Sequence, residues 1–354
     1  MCDAWQKAHT HTFYALDDRQ QYDHRKLPPL LERHPKACAD APRSIFIDAG
    51  ASWCNSLQLY RHIPGVPRSG KLNVFAFEVS PLIMPFVERC AEALSRGEPL
   101  PPQPLPPSGS SSQLLKYAVK VGCHHGSRGG QFVCIEKALN ATLQALRPDS
   151  RLLGNHSLVW ARLNMARTAG LSSCDTVGTQ SMGPSSATYH LIPAGFGVRD
   201  ATMQVADSAR GLMQLLRGGA SISSKEGAAL SSGRPQSSVP VIDALRWLRH
   251  SFTVDDYVVL KMDVEGAENE IVPALLATNT SKLIDVLLWE CHLAVNGGIA
   301  GKCRCSAWER ALLASGVRRV YRDPYPFAQA SDYPEFVVDA VANQSAPPSR
   351  GVGG

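Results

Sequence analysis

The chain has 354 residues, 44% of them hydrophobic, and a formal net charge of +5. It can bury a sizeable core and exceeds one average domain, although an α/β unit carrying insertions reaches this length alone. The mild basicity comes with neither a dense Lys/Arg run nor an RNA-binding aromatic motif, so nucleic acid is not expected as a substrate, and no stretch approaches the roughly 20 apolar residues of a membrane span.

Residues 1–42 mix His, Asp, Arg and Pro without a period and read as an extension that packs beside the core or covers a ligand. The opening MCDAWQKAHTHTFYALDD lacks the basic and apolar regions of a secretory signal. A soluble, cytoplasmic protein is therefore expected, with most of the ten cysteines reduced and buried as apolar residues. Four sequons, at Asn140, Asn155, Asn279 and Asn343, would matter only on the secretory route, which is the alternative.

The first patterned segment, SIFIDAGASWCNSLQLY (44–60), predicts a strand, a tight loop with Asp48 and Gly50, and a helix. NVFAFEVSP (73–81) predicts a second strand ending at Glu78, with Ser80 and Pro81 placed to cap and open a helix over Leu82–Arg96. An acidic residue at the tip of the second strand suits the two hydroxyls of a ribose. A dinucleotide fold wants three loop glycines to grip a pyrophosphate, whereas this loop has one, and Asp48 would repel that group. Asp48 instead suits a ligand carrying an ammonium and a sulfonium, as S-adenosylmethionine does.

A proline- and serine-rich loop follows (GEPLPPQPLPPSGSSSQ), then a strand-like QFVCIEKAL at 131–139. Residues 147–187 read as an insertion with a helical pattern near Leu158–Ala166. Core pattern resumes at TYHLIPAGFGVRDATMQVAD (188–207), and VPVIDALRWLRHSF (239–252) reads as a short strand and a helix.

The richest segment is VVLKMDVEGAENEIV (258–272), where an apolar strand runs into carboxylates around Gly266, followed by a helix over Ala267–Leu276. Asp263 and Glu265 sit just past the strand's carboxyl end, where open α/β sheets bind ligands. Glu268 and Glu270 read as complements of the helix dipole. LIDVLLWECHL (283–293) predicts a buried strand that brings Glu290 and His292 to the same rim, and the last part predicts an amphipathic helix and a terminal strand.

Together these segments resemble the FkbM-type S-adenosylmethionine-dependent methyltransferases, whose D-x-G-A loop is matched by Asp48, Gly50 and Ala51, whose A-F-E segment is matched by Ala76, Phe77 and Glu78, and whose L-K-x-D-V-E-G-A-E segment is matched from Leu260 to Glu268. The resemblance runs from about Arg43 to about Asp323. It implies a Rossmann-like class I methyltransferase sandwich, with a mostly parallel seven-stranded sheet, helices on both faces and large loop insertions. The domain is expected over 43–342, with insertions at about 97–130, 147–187 and 208–238 and a disordered tail over 343–354. Two positions depart from the family: Cys54 replaces the second loop glycine and Val79 the proline after Glu78.

Methyl transfer from a sulfonium needs alignment, exclusion of water and, for a hydroxyl acceptor, a base within hydrogen-bond reach. Asp263, Glu265 and His292 are the expected catalytic residues, with Asp263 or His292 as base. Asp48, Gly50, Ala51 and Glu78 are the expected cofactor residues. The acceptor is expected to be a hydroxyl of a sugar, glycan or small metabolite. Alternatives are a catalytically silent methyltransferase-like binding module and a nucleotide-dependent oxidoreductase. No metal is expected: Cys303-Arg-Cys305 near Cys291 and His292 lacks the paired C-x2-C units of structural zinc, and a divalent cation on Asp263, Glu290 and His292 is chemically feasible but not required by the spacing.

Overall fold

The computed structural model describes residues 27–30, 43–52, 54, 56–57, 72–81, 83–101, 122–123, 134, 137–138, 141, 187–206, 236–292 and 298–322. Elements in chain order are β1 (Ser44–Ala49), β2 (Leu72–Phe77), α1 (Met84–Arg96), β3 (Ala187–Ile192), β4 (Gly195–Gly197), β5 (Ala201–Ala206), β6 (Gln236–Asp243), α2 (Ala244–Ser251), β7 (Tyr257–Met262), α3 (Glu268–Ala277), β8 (Val286–Trp289), α4 (Gly298–Ala314) and β9 (Arg319–Arg322). The main sheet has the order β3-β2-β1-β7-β8-β9 and every pairing in it is parallel.

The strands alternate between two cores. Phe46, Val74, Ala76, Val259 and Leu288 face α1 through Met84, Val87, Cys90 and Leu94. Their neighbours Ile45, Ile47, Phe75, Leu260 and Trp289 face α2, α3 and α4 through Leu245, Trp247, Ile271, Leu275, Trp308 and Leu312. A sheet covered on both faces needs near-continuous apolar strands, and β1, β2, β7 and β8 have them, whereas the edge strand β9, Arg-Val-Tyr-Arg, is partly exposed. The arrangement is α/β and Rossmann-like. No helix among the described residues is long and apolar enough to cross a membrane.

Several expectations are corrected. The main sheet has six strands among the described residues, where seven are expected; of the segment over 188–207, β3 joins the edge of the main sheet, while β4 and β5 lie in a separate sheet of order β4-β6-β5. There β6 lies between the other two, parallel to β4 and antiparallel to β5, and it begins at Gln236, inside the stretch read as insertion. Ser80 and Pro81 do not cap α1: the Ser80 carbonyl accepts from the Ile83 and Met84 N–H groups, and Pro85 takes the first turn of the helix. The strand expected over 131–139 is not formed, since Cys134, Lys137, Ala138 and Ala141 are helical. A short apolar run cannot distinguish the two states, and Phe132, Ile135, Leu139 and Leu143 also fit helical spacing.

The cysteines also differ from expectation. Cys123 pairs with Cys134 and Cys291 with Cys305, and Cys303 is disulfide-bonded as well. Among the described residues only Cys54 and Cys90 are free, both buried. The helical pattern near Leu158–Ala166 and the tail over 343–354 lie outside the described residues. Within residues 27–30, Leu27 and Leu30 pack against the α2–α4 core and the Pro28 carbonyl accepts from Arg249 Nη1 at 2.7 Å.

The entry to β1 is tied to the entry to β7 by a buried ion pair. Asp256 accepts from the Arg43 guanidinium at 2.8 and 3.1 Å, from the Arg43 N–H at 2.9 Å and from the Thr253 N–H at 3.0 Å. Removing one partner of such a pair leaves a buried charge uncompensated. Asp256→Ala is expected to cost about 3–5 kcal/mol, read as a lower midpoint in urea unfolding at unchanged slope.

Candidate functional site

The carboxyl ends of β1, β2, β7 and β8 are stitched into one rim. The Gly50 and Ala51 N–H groups donate to the Phe77 carbonyl at 3.1 and 2.9 Å, the Asp263 N–H to the Ala49 carbonyl at 2.9 Å, and the Glu290 N–H to the Met262 carbonyl at 3.0 Å. Gly50, Ser52, Val79, Asp263, Glu265, Glu290 and His292 are all partly exposed along this rim. Sequence-predicted residues from four strand tips therefore share one edge of the sheet.

Gly50 is needed for conformation and for space. Its φ is +89°, and a Cβ there would lie 1.9 Å from the Asp263 carbonyl oxygen. Ser52 and Cys54 continue the loop with φ of 46° and 64°, in the left-handed region that favours glycine. Cys54 thus holds a left-handed conformation with a side chain, and its sulfur is buried beside Cys90.

Glu78 is buried just past the end of β2, with both carboxylate oxygens accepting backbone N–H groups. Oε1 accepts from the Ser80 N–H at 2.7 Å and Oε2 from the Ser52 N–H at 2.9 Å, so each oxygen keeps a lone pair for a further donor. Burial pushes its carboxyl up to about 7, against the lowering effect of those two N–H groups and Lys261.

Asp48 is placed differently from expectation. It is fully buried, accepting from Ser56 Oγ at 2.7 Å and pairing with Lys261 Nζ at 3.2 Å. Asp48 and Lys261 are register partners on β1 and β7, pointing to the same face, so their contact follows from strand pairing. Lys261 also donates to the Gly50 carbonyl at 2.5 Å and lies 3.7 Å from Asp263 Oδ2. Lys261, with no role expected from the sequence, joins the first loop to the third. Burial opposes its charge, but Asp48 and Asp263 hold its pKa above the usual range.

Glu268, expected as a helix-dipole residue, is a fully buried clamp. Its carboxylate accepts from the Gly266 N–H at 2.8 Å, the His292 N–H at 3.1 Å and His292 Nδ1 at 2.9 Å. The opposite nitrogen, Nε2, lies 3.3 Å from Glu265 Oε2 and 3.9 Å from Glu290 Oε2. Burial alone would lower the imidazole pKa; its bonds to Glu265 and Glu268 overturn that and raise it to about 11. Both ring nitrogens therefore face carboxylates. Glu290 lies on the same rim, and burial, then the Asp263 charge, push its carboxyl up to about 7. A carboxyl near 7 is suited to acid–base work.

Comparison of the chain with family models, with curated proteins and with solved structures returns no match. The functional reading therefore rests on the rim.

The rim is braced from behind by the Cys291–Cys305 disulfide, which links the residue between Glu290 and His292 to α4 across 14 positions. A closed loop of about 15 residues contributes roughly 3 kcal/mol by restricting the unfolded chain. The double variant Cys291→Ser/Cys305→Ser is expected to lose about that much in thermal or urea melts. Equal stability of the two proteins would show that the bridge constrains nothing.

Proposed function

We propose that the protein is an S-adenosylmethionine-dependent methyltransferase of FkbM type acting on a hydroxyl of a sugar, glycan or small metabolite. The observation that carries this reading is the shared rim. A strand-tip carboxylate with lone pairs free for a ribose, Glu78, lies across a glycine turn from a second cluster of acidic groups, Asp263, Glu265 and Glu290. The excess of carboxylates suits a cationic ligand and opposes a pyrophosphate, which speaks against a dinucleotide.

When bound, the cofactor supplies an electrophilic methyl group. The protein's share is positioning and proton transfer: Glu78 receives the ribose hydroxyls, Gly50 lets the loop lie close to Asp263, and the Asp263–Glu290 pair takes the acceptor proton. Glu268 holds His292 so that the rim keeps its shape. The disulfides weigh toward folding in an oxidising compartment, the secretory alternative, rather than the cytoplasm.

Cys54 favours a second reading, a silent binding module, because a non-glycine residue in the left-handed region of the loop costs about 1–2 kcal/mol and narrows the approach. Calorimetry with S-adenosylmethionine, S-adenosylhomocysteine and NAD, followed by labelled-methyl transfer in extracts, separates the readings. The methyltransferase binds the first two and labels a product; the silent module binds and labels nothing; a protein that binds none of the three is neither.

A further inference from the structure

We propose that Asp263, Glu265 and His292 form a divalent-cation site whose open positions receive two adjacent oxygens of the acceptor, as in a vicinal diol. One oxygen or nitrogen from each residue lies within 4.8 Å of the others, a spacing at which a single ion reaches all three. The set is not a patch of surface acids. It comes from two strand ends, β7 and β8, and includes an imidazole whose orientation is imposed from outside the triad.

That orientation is the observation that most resembles a built metal centre. A ligating histidine is normally held through its other nitrogen by a carboxylate, which fixes both the ring and the free nitrogen. Glu268, fully buried, holds Nδ1 at 2.9 Å and the His292 N–H at 3.1 Å, leaving Nε2 turned toward Glu265 Oε2 at 3.3 Å. An ion placed between Nε2 and the two carboxylates replaces the proton now shared there. Lys261, the nearest cation to Asp263 at 3.7 Å, also serves Asp48 at 3.2 Å.

One imidazole nitrogen and two carboxylates suit Mn²⁺ or a comparable first-row ion better than Ca²⁺, which prefers an all-oxygen shell. Three protein ligands leave about half of an octahedral shell open. An ion there polarises a bound hydroxyl and orients two neighbouring oxygens. The acceptor role rests on the methyltransferase reading; the ion site does not.

The test uses the full chain and Mn²⁺ alone. Titration followed by electron paramagnetic resonance is expected to show loss of the free-ion signal at one equivalent, with enhanced water-proton relaxation because water fills the open positions. Asp263→Asn and His292→Ala should abolish that loss, Glu268→Gln should weaken binding by about 10- to 100-fold, and Asp255→Asn, exposed and remote from the triad, should leave it intact. Glu265→Gln, on the partly exposed rim, keeps the test valid where a buried variant fails to fold. Mn²⁺ that stays free, or binding equal in wild type and Glu265→Gln, overturns the site. Binding without relaxation enhancement overturns the acceptor role. Mn²⁺ binding without S-adenosylhomocysteine binding supports the ion site and removes the methyl-transfer reading, while the converse removes the ion site alone.

Discussion

Replacing Glu78 by Ala is expected to weaken S-adenosylhomocysteine binding by at least about 100-fold, the largest single effect at the site. Two hydrogen bonds from ribose hydroxyls to a charged acceptor contribute about 1.5–3 kcal/mol each, so losing both reaches the range of 3–6 kcal/mol. The same residue gives binding a pH dependence. Its carboxyl titrates near 7 because burial outweighs the Ser80 and Ser52 N–H groups and the Lys261 charge. Below that pH the protonated form loses acceptor strength, and affinity should fall toward tenfold per pH unit. For the ligand-free protein the sign is opposite to that of a stabilising ion pair. The folded-state pKa lies above the ordinary 4.5, so the folded chain binds more protons between 4.5 and 7 and loses roughly 3 kcal/mol as pH rises through that window. Calorimetry from pH 5.5 to 8.5 reads the first effect and urea unfolding the second. A flat binding profile, or unchanged affinity in Glu78→Ala, would remove Glu78 from the cofactor site.

Gly50→Ala is expected to damage folding and binding together. A methyl group at φ +89° is strained by about 1–2 kcal/mol, and it would also stand 1.9 Å from the Asp263 carbonyl oxygen. The obstacle is backbone, not a side chain able to swing away, so the loop or the β7 tip must move. The displaced parts are those carrying Ser52, which holds Glu78, and Asp263, which meets Glu290. A loss of at least about 2 kcal/mol, or roughly 5 °C in melting temperature, is expected together with loss of S-adenosylhomocysteine binding. A variant that melts and binds like wild type would mean that the two tips do not meet as described.

Much of this was legible from residues alone. β1, β2, β7 and β8 lie where apolar runs end in acidic residues, because buried parallel strands need unbroken hydrophobic sequence. The strand-tip rule placed Glu78, Asp263, Glu265 and His292 on one rim. What it could not give was direction. Asp48 looks ligand-facing in the sequence, yet its strand register sets it beside Lys261. Glu268 looks like any first-turn acid until β8 brings His292 alongside, 24 positions later. The small sheet was missed because β6 pairs with β5 across a long intervening stretch, and no local period encodes a partner at that distance.

The central pairing of the main sheet joins Ser44 to Tyr257, so β1 and its neighbour β2 must wait for a strand made some 200 residues later. At translation rates of about 5–20 residues per second, that interval is roughly ten to forty seconds. For that time one flank of β1, apolar on both faces, has no partner in the nascent chain, and parallel sheets of such long range close slowly even once complete. Production of the protein should therefore depend on what shields that flank during synthesis, and on the ribosome's pace through residues 78–256, more than on the stability of the finished fold.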